Sequence, residues 1–164
     1  MPMAAFVVLF VGSHLASMHG GPRALHDVLG GQPIFDQRPS FSATDVYARV
    51  AAFGDVGRAA YSRLTYTGDL LFPLVLLTFL VQLQRFLSAR AGGRYRALLL
   101  VPAAWFLADL TENAIIYTLL RDFPTRHEGL AGALGAVTTF KFALLAASAL
   151  TAAWTSTRLD VPRA

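Results

Sequence analysis

The run ALLLVPAAWFLADLTENAIIYTLL, residues 97–120, decides the fold. A helix rises about 1.5 Å per residue and a bilayer's hydrocarbon core is about 30 Å thick, so this run is long enough to cross. It nevertheless carries Asp109, Glu112 and Asn113 near its middle. A second run of membrane length, residues 130–154, carries Lys141 near its middle, and Lys141 is the only lysine in the chain. Ionisable groups in hydrocarbon are costly, and by default they mark a functional site.

The rest of the composition fits a membrane setting. The chain has 164 residues, 55% of them hydrophobic and 15% charged, against about a quarter charged in a soluble domain. Its mean hydropathy is +0.50. The charges gather between apolar runs, the pattern of a polytopic membrane protein forming a single membrane domain over residues 1–164. The +4 formal charge is no nucleic-acid signal, because the arginines alternate with acids or sit at helix ends and form no basic stripe. The chain has no cysteine, which excludes disulfides, thiolate nucleophiles and cysteine-ligated metals.

Two further spans are expected outward from these runs. Residues 66–87 contain Asp69 and, one turn later, Pro73. Proline at 73 removes the amide that would bond the carbonyl of Asp69 and crowds that carbonyl with its ring. Residues 2–18 read as a first, short span; they lack the basic flank and the small-x-small site of a signal peptide. Between these two lies a loop, residues 19–65, broken at Gly20-Gly21-Pro22, Gly30-Gly31, Pro33 and Pro39. Ser42 and Thr44 offer hydroxyls to cap a short amphipathic helix through Val46, Tyr47, Val50 and Phe53, which Gly54 ends. Asp55 can cap a further helix that leads into the second span, with Arg58 and Tyr61 on a solvated face or against lipid headgroups or a partner.

Arg85, Arg90, Arg94 and Arg96 surround the loop between the second and third spans without an accompanying acid. By the positive-inside rule that loop is cytoplasmic. Both termini are then cytoplasmic and the long loop is extracytoplasmic. The expected fold is all-α: four transmembrane helices in a bundle, with a helical extracytoplasmic loop.

Depth and helix face converge on one cluster. Counted from the outer ends of their spans, Lys141 and Asp109 both lie about 16 Å deep, Glu112 about 12 Å, and Asp69 and His14 about 5–6 Å. Asp109, Glu112 and Asn113 share a helix face by their i+3 and i+4 spacing, with Trp105 and Tyr117 a turn to either side. On the last span Thr138, Lys141 and Ser148 share a face, while Gly132, Gly135 and Ala136 provide small positions where another helix could pack. The candidate site is therefore Asp69, Asp109, Glu112, Asn113, Thr138 and Lys141, with His14 and Tyr117 at its mouth. Three acids against one lysine leave two excess negative charges. At least one acid then carries a proton, or a cation or basic ligand is present.

Three readings of that cluster stand side by side: a buried ion pair that fixes helix register, a site for a proton, cation or small amphiphile, and an intramembrane acid/base acting on a lipid-like substrate. The absence of any recognised nucleophile, phosphate loop or dinucleotide fingerprint leans the whole away from catalysis, towards a structural or accessory subunit of a larger membrane complex. The expected partners are the lipid bilayer and either other membrane subunits or a second copy of the chain, with no nucleic acid. His14, His19, His26 and His127 show no metal-ligand spacing, so no metal site is expected, and no cofactor is identified.

Overall fold

The structure is a computed structural model and describes residues 22–158. The expected first span, residues 2–18, lies outside the described residues, and so do His14 and His19. Helix α1 spans Pro22–Val28, α2 Ala43–Ala52, α3 Gly54–Thr65, α4 Gly68–Arg90, α5 Leu100–Arg121 and α6 Glu128–Ser156, with a single 3-10 turn at Arg96–Leu99. No strand occurs among the described residues.

Among the described residues three stretches are helical, long and apolar enough to cross a membrane: Gly54–Arg90, Arg96–Arg121 and Glu128–Ser156. They correspond to the second, third and fourth expected spans. The helix preceding the second span runs almost directly into it, interrupted only at Tyr66 and Thr67. There the Thr67 hydroxyl bonds back to the carbonyl of Arg63 at 2.7 Å. Helices α5 and α6, joined by a short turn, pack along their length, and α4 lies against both. Leu71, Leu100, Leu107, Phe140 and Leu150 stay exposed on the outside of this group, as lipid-facing side chains would.

The long loop folds into a helical cap built on one aromatic cluster. Phe35, Phe53 and Tyr61 are buried with ring centroids about 6 Å apart, two of the three contacts being edge-on. Leu25, Leu29, Ile34, Val46 and Val50 close around them, and the same core continues into Ile116, Leu119 and Leu134 of the spans. Each such side chain contributes about 1.5–3 kcal/mol on burial. Ser42 caps α2 as expected, its hydroxyl accepting from the amide of Asp45 at 3.2 Å.

Gly54 ends α2 as expected and also opens α3; its φ of +64° makes the sharp corner that buries Phe53 between the two helices. Two local expectations need correction. Asp55 sits in the first turn of α3 and pairs with Arg58 instead of capping the helix. Tyr61 is on neither a solvated face nor a lipid surface: it is fully buried, and its hydroxyl accepts the amide of Phe35 at 2.9 Å. Arg58, turned inward, donates to the carbonyl of Val50 and stacks over Phe123.

The cap also holds a buried cation. Arg49 donates to the carbonyls of Arg38 and Pro33 and to the hydroxyl of Ser40, and lies 4.3 Å from the centroid of Phe35. Burial pushes its guanidinium below the ordinary arginine range. A planar fork of donors suits three acceptors in fixed directions, which a lysine ammonium would not match.

Of the small positions of α6, Gly135 serves the cap. A side chain at Gly135 would place its first carbon 2.5 Å from the carbonyl oxygen of Ser40, whereas Gly132 faces open space. The loop backbone thus docks directly onto the helix at Gly135. Gly135→Ala is expected to destabilise the protein by about 1–3 kcal/mol through overpacking, and Gly132→Ala to leave it unchanged or slightly more stable. Thermal unfolding of the two variants in one detergent checks the pair, and equal effects would contradict the docking.

Candidate functional site

The cluster forms because three elements bring charge to one place. Helix α5 presents Asp109, Glu112 and Asn113 on its buried face, and antiparallel α6 presents Thr138 and Lys141. The ammonium of Lys141 pairs with Glu112 and with Asp109, the latter at 3.4 Å. Lys141 is 5% exposed, Asp109 6% and Glu112 0%.

The third element was not expected from the sequence. Asp36, from the cap segment between α1 and α2, also pairs with Lys141. Its neighbour Phe35 is locked in the aromatic cluster, stacked on Tyr61 and under Arg49, and this anchoring aims Asp36 at the spans. The amides of Gln37 and Arg38 both bond the carbonyl of Ile34 at 3.2 Å, closing a tight turn around Asp36. A signal for this was present. Ile34-Phe35 is an apolar pair inside a polar, proline-broken connection, and such a pair is buried only where the chain turns inward. Asp36 is also the most open member of the ion-paired group, its side chain 22% exposed.

Asn113 joins α4 to the cluster. Its two amide hydrogens go to the backbone carbonyl of Asp69 at 3.0 Å and to Asp109 Oδ2 at 3.3 Å. The carbonyl of Asp69 is the one that Pro73 deprives of its helical partner, and a side chain from the next span restores the bond. The side chain of Asp69 makes no ion pair among the described residues, but it lies within Coulombic range of Asp36, Asp109, Glu112 and Lys141.

Thr138 is the remaining member. Its hydroxyl meets Glu112 Oε1 and also the carbonyl of Leu134, the latter at 3.0 Å. Of the two residues placed at the mouth, His14 lies outside the described residues. Tyr117 is half-buried against Tyr66, ring centroids 5.8 Å apart, without a hydrogen bond to the cluster. The structure therefore gathers Asp109, Glu112, Asn113, Thr138 and Lys141 in direct contact, attaches Asp69 through its backbone, adds Asp36, and leaves Tyr117 to one side.

No group of three or more potential ligands is arranged to hold a metal among the described residues. His127, at the turn between α5 and α6, contacts Asp122 at 2.9 Å. His26 lies 3.9 Å from Asp27. At the other end of the spans the Gln84 amide donates to Thr155 at 3.1 Å, a second buried polar tie, between α4 and α6.

No family model, curated protein or solved structure matches this chain. The chain's own physical chemistry thus carries the functional argument: an all-helical protein with three helices fit to cross a membrane, enclosing a buried lysine with its acids.

Lys141→Met leaves three carboxyl groups without their cation, and removing one partner of a buried pair costs about 3–5 kcal/mol. Asp36→Asn, which keeps Lys141 paired to α5, is expected to cost less. Lowering the pH should shrink the Lys141→Met deficit, because protonated acids need no counter-ion. Thermal unfolding across a pH series measures this, and a deficit that grows on acidification would contradict it.

Proposed function

We propose that this chain is a non-catalytic, multi-pass membrane protein in which the charged cluster fastens a folded outer cap to the spans, and that it serves as a structural or accessory subunit of a membrane assembly. One observation carries the fastening: a single ammonium, Lys141, is shared by Asp36 of the cap and by Asp109 and Glu112 of the neighbouring helix. Buried pairs of this kind fix geometry more than they add stability. The cap presented in this way has a defined outer surface, with Phe41 67% and Val56 75% exposed. Apolar groups held in fixed positions are what a partner subunit, or a second copy, needs for packing.

The proposal includes orientation. The arginine-rich loop after α4 is on the cytoplasmic side, the cap faces outward, and the apolar N-terminal run supplies a fourth span. Because the chain has no cysteine, Asp27→Cys gives a unique handle on the cap, the native side chain being 95% exposed. A membrane-impermeant biotin maleimide added to intact cells should label it, and mild-detergent capture through that biotin should bring down stoichiometric membrane partners. Labelling only after the membrane is opened reverses the orientation. Labelled protein recovered as a lone monomer overturns the subunit role.

A second reading is favoured by one specific feature, the charge imbalance. Asp36, Asp69, Asp109 and Glu112 face one lysine, so full ionisation would leave three uncompensated negative charges. Protons are the simplest compensation. The Thr138 hydroxyl has one hydrogen but two oxygen partners. With that hydrogen on the carbonyl of Leu134, the bond to Glu112 requires a proton on the carboxyl group. In this reading the cluster is a proton-binding site reached from outside through Asp36. Infrared spectra at neutral pH should show a carboxylic-acid C=O band that Glu112→Gln diminishes. A spectrum unchanged by that substitution removes Glu112 from the role.

A further inference from the structure

The arginines at the far end of the spans form more than a topology signal. Between Asp69 and Asp109 the sequence contains no acid, yet it holds Arg85, Arg90, Arg94 and Arg96. Arg85, at the end of α4, and Arg96, opening the 3-10 turn, line a groove of about 400 Å³ with Ala89 and Leu99. The side chains of Arg85 and Arg96 make no ion pair or hydrogen bond among the described residues, and both are exposed. Arg90, by contrast, is folded over the ring of Phe86 at 4.9 Å. Two uncompensated guanidinium groups therefore flank a small apolar floor.

The surroundings place this groove at the level of lipid headgroups. Tyr95, beside Arg96, meets Trp154 edge-on with centroids 4.9 Å apart, and Arg158 lies over the same indole at 5.4 Å. Tyrosine and tryptophan with arginine at the end of a span are the marks of the membrane–water boundary. Above that level α4 and α5 offer lipid an apolar surface, with Leu74 48%, Leu100 71% and Leu107 63% exposed. A ligand seated here would meet cations at its head and hydrocarbon along its tail.

We infer that this groove is a binding site for an anionic phospholipid, whose phosphate is clamped by Arg85 and Arg96 while an acyl chain lies along α4 and α5. The guanidinium fork suits a phosphodiester, because its parallel N–H donors match two phosphate oxygens. Basic pockets between spans at this level recognise acidic headgroups in the same way. The site lies at the end of the spans, away from the Lys141 cluster near their middle, and is independent of what that cluster does.

The test uses the full chain in mild detergent, with thermal unfolding followed as phosphatidylglycerol, phosphatidylcholine or free glycerol phosphate is added. Phosphatidylglycerol is expected to raise the unfolding temperature, and the other two are not. The double variant Arg85→Gln/Arg96→Gln should need about tenfold or more phosphatidylglycerol for the same shift, while Arg94→Gln, outside the groove, should need only a few-fold more. Equal loss in Arg94→Gln would mean diffuse charge and overturn the site. A response to phosphatidylcholine equal to that to phosphatidylglycerol would overturn the headgroup assignment. A full response to glycerol phosphate would remove the acyl chain from the proposal. If the double variant unfolds in lipid-free detergent, the single variants carry the same comparison, each expected to weaken the response.

Discussion

A lone ammonium buried among carboxylates governs this structure. Lys141 is the only lysine in the chain, and three acids from two other segments are turned towards it. An unpaired charge at that depth would be far too costly to keep, so the elements carrying its partners have to meet. Helix α5 meets α6 along its length for this reason as well as through apolar packing. The cap segment holding Asp36 is drawn down against both, with Phe35 anchoring it from the cap side.

The apolar core and the ion cluster divide the work. Leu29, Phe35, Val46, Val50 and Tyr61 close the cap on itself, and Ile116, Leu119 and Leu134 carry the same core into the spans. Burial of that kind is non-directional and fixes no unique seating. Direction comes from polar contacts with few solutions: Arg49 reaching two carbonyls and a hydroxyl, Asn113 dividing its two hydrogens, Gly135 admitting the backbone of Ser40. These contacts choose one arrangement out of the many that would bury the same surface.

Much of this was legible in the sequence, for physical reasons. Membrane-length apolar runs identify spans directly, since lipid demands an unbroken stretch of such length. The i+3 and i+4 spacing put Asp109, Glu112 and Asn113 on one face, and a short connection made Lys141 their neighbour. The proline rule even located the freed carbonyl of Asp69, though not the side chain that answers it. Tyr61 was not legible, and Asp36 only indirectly through the apolar pair Ile34-Phe35 beside it, because both depend on how an irregular loop closes over distance. A loop's path follows from tertiary contacts that no period announces. Gly135 shows a similar cause: a small residue states that something comes close, and at this position it is a loop rather than a helix.

The double hydrogen bond of Asn113 has a mechanical consequence. One hydrogen is committed to the Asp69 carbonyl that Pro73 leaves without its helical amide, the other to the carboxyl group of Asp109. A shift of the first turn of α4 would withdraw the carbonyl, and the amide would have to rotate to follow it. Rotation of the amide would release Asp109 from its present orientation towards Lys141. The seating of one helix and the aim of an acid on another are thereby geared together, so that a force on the first turn of α4 arrives in the ion cluster as a turn of a single side chain.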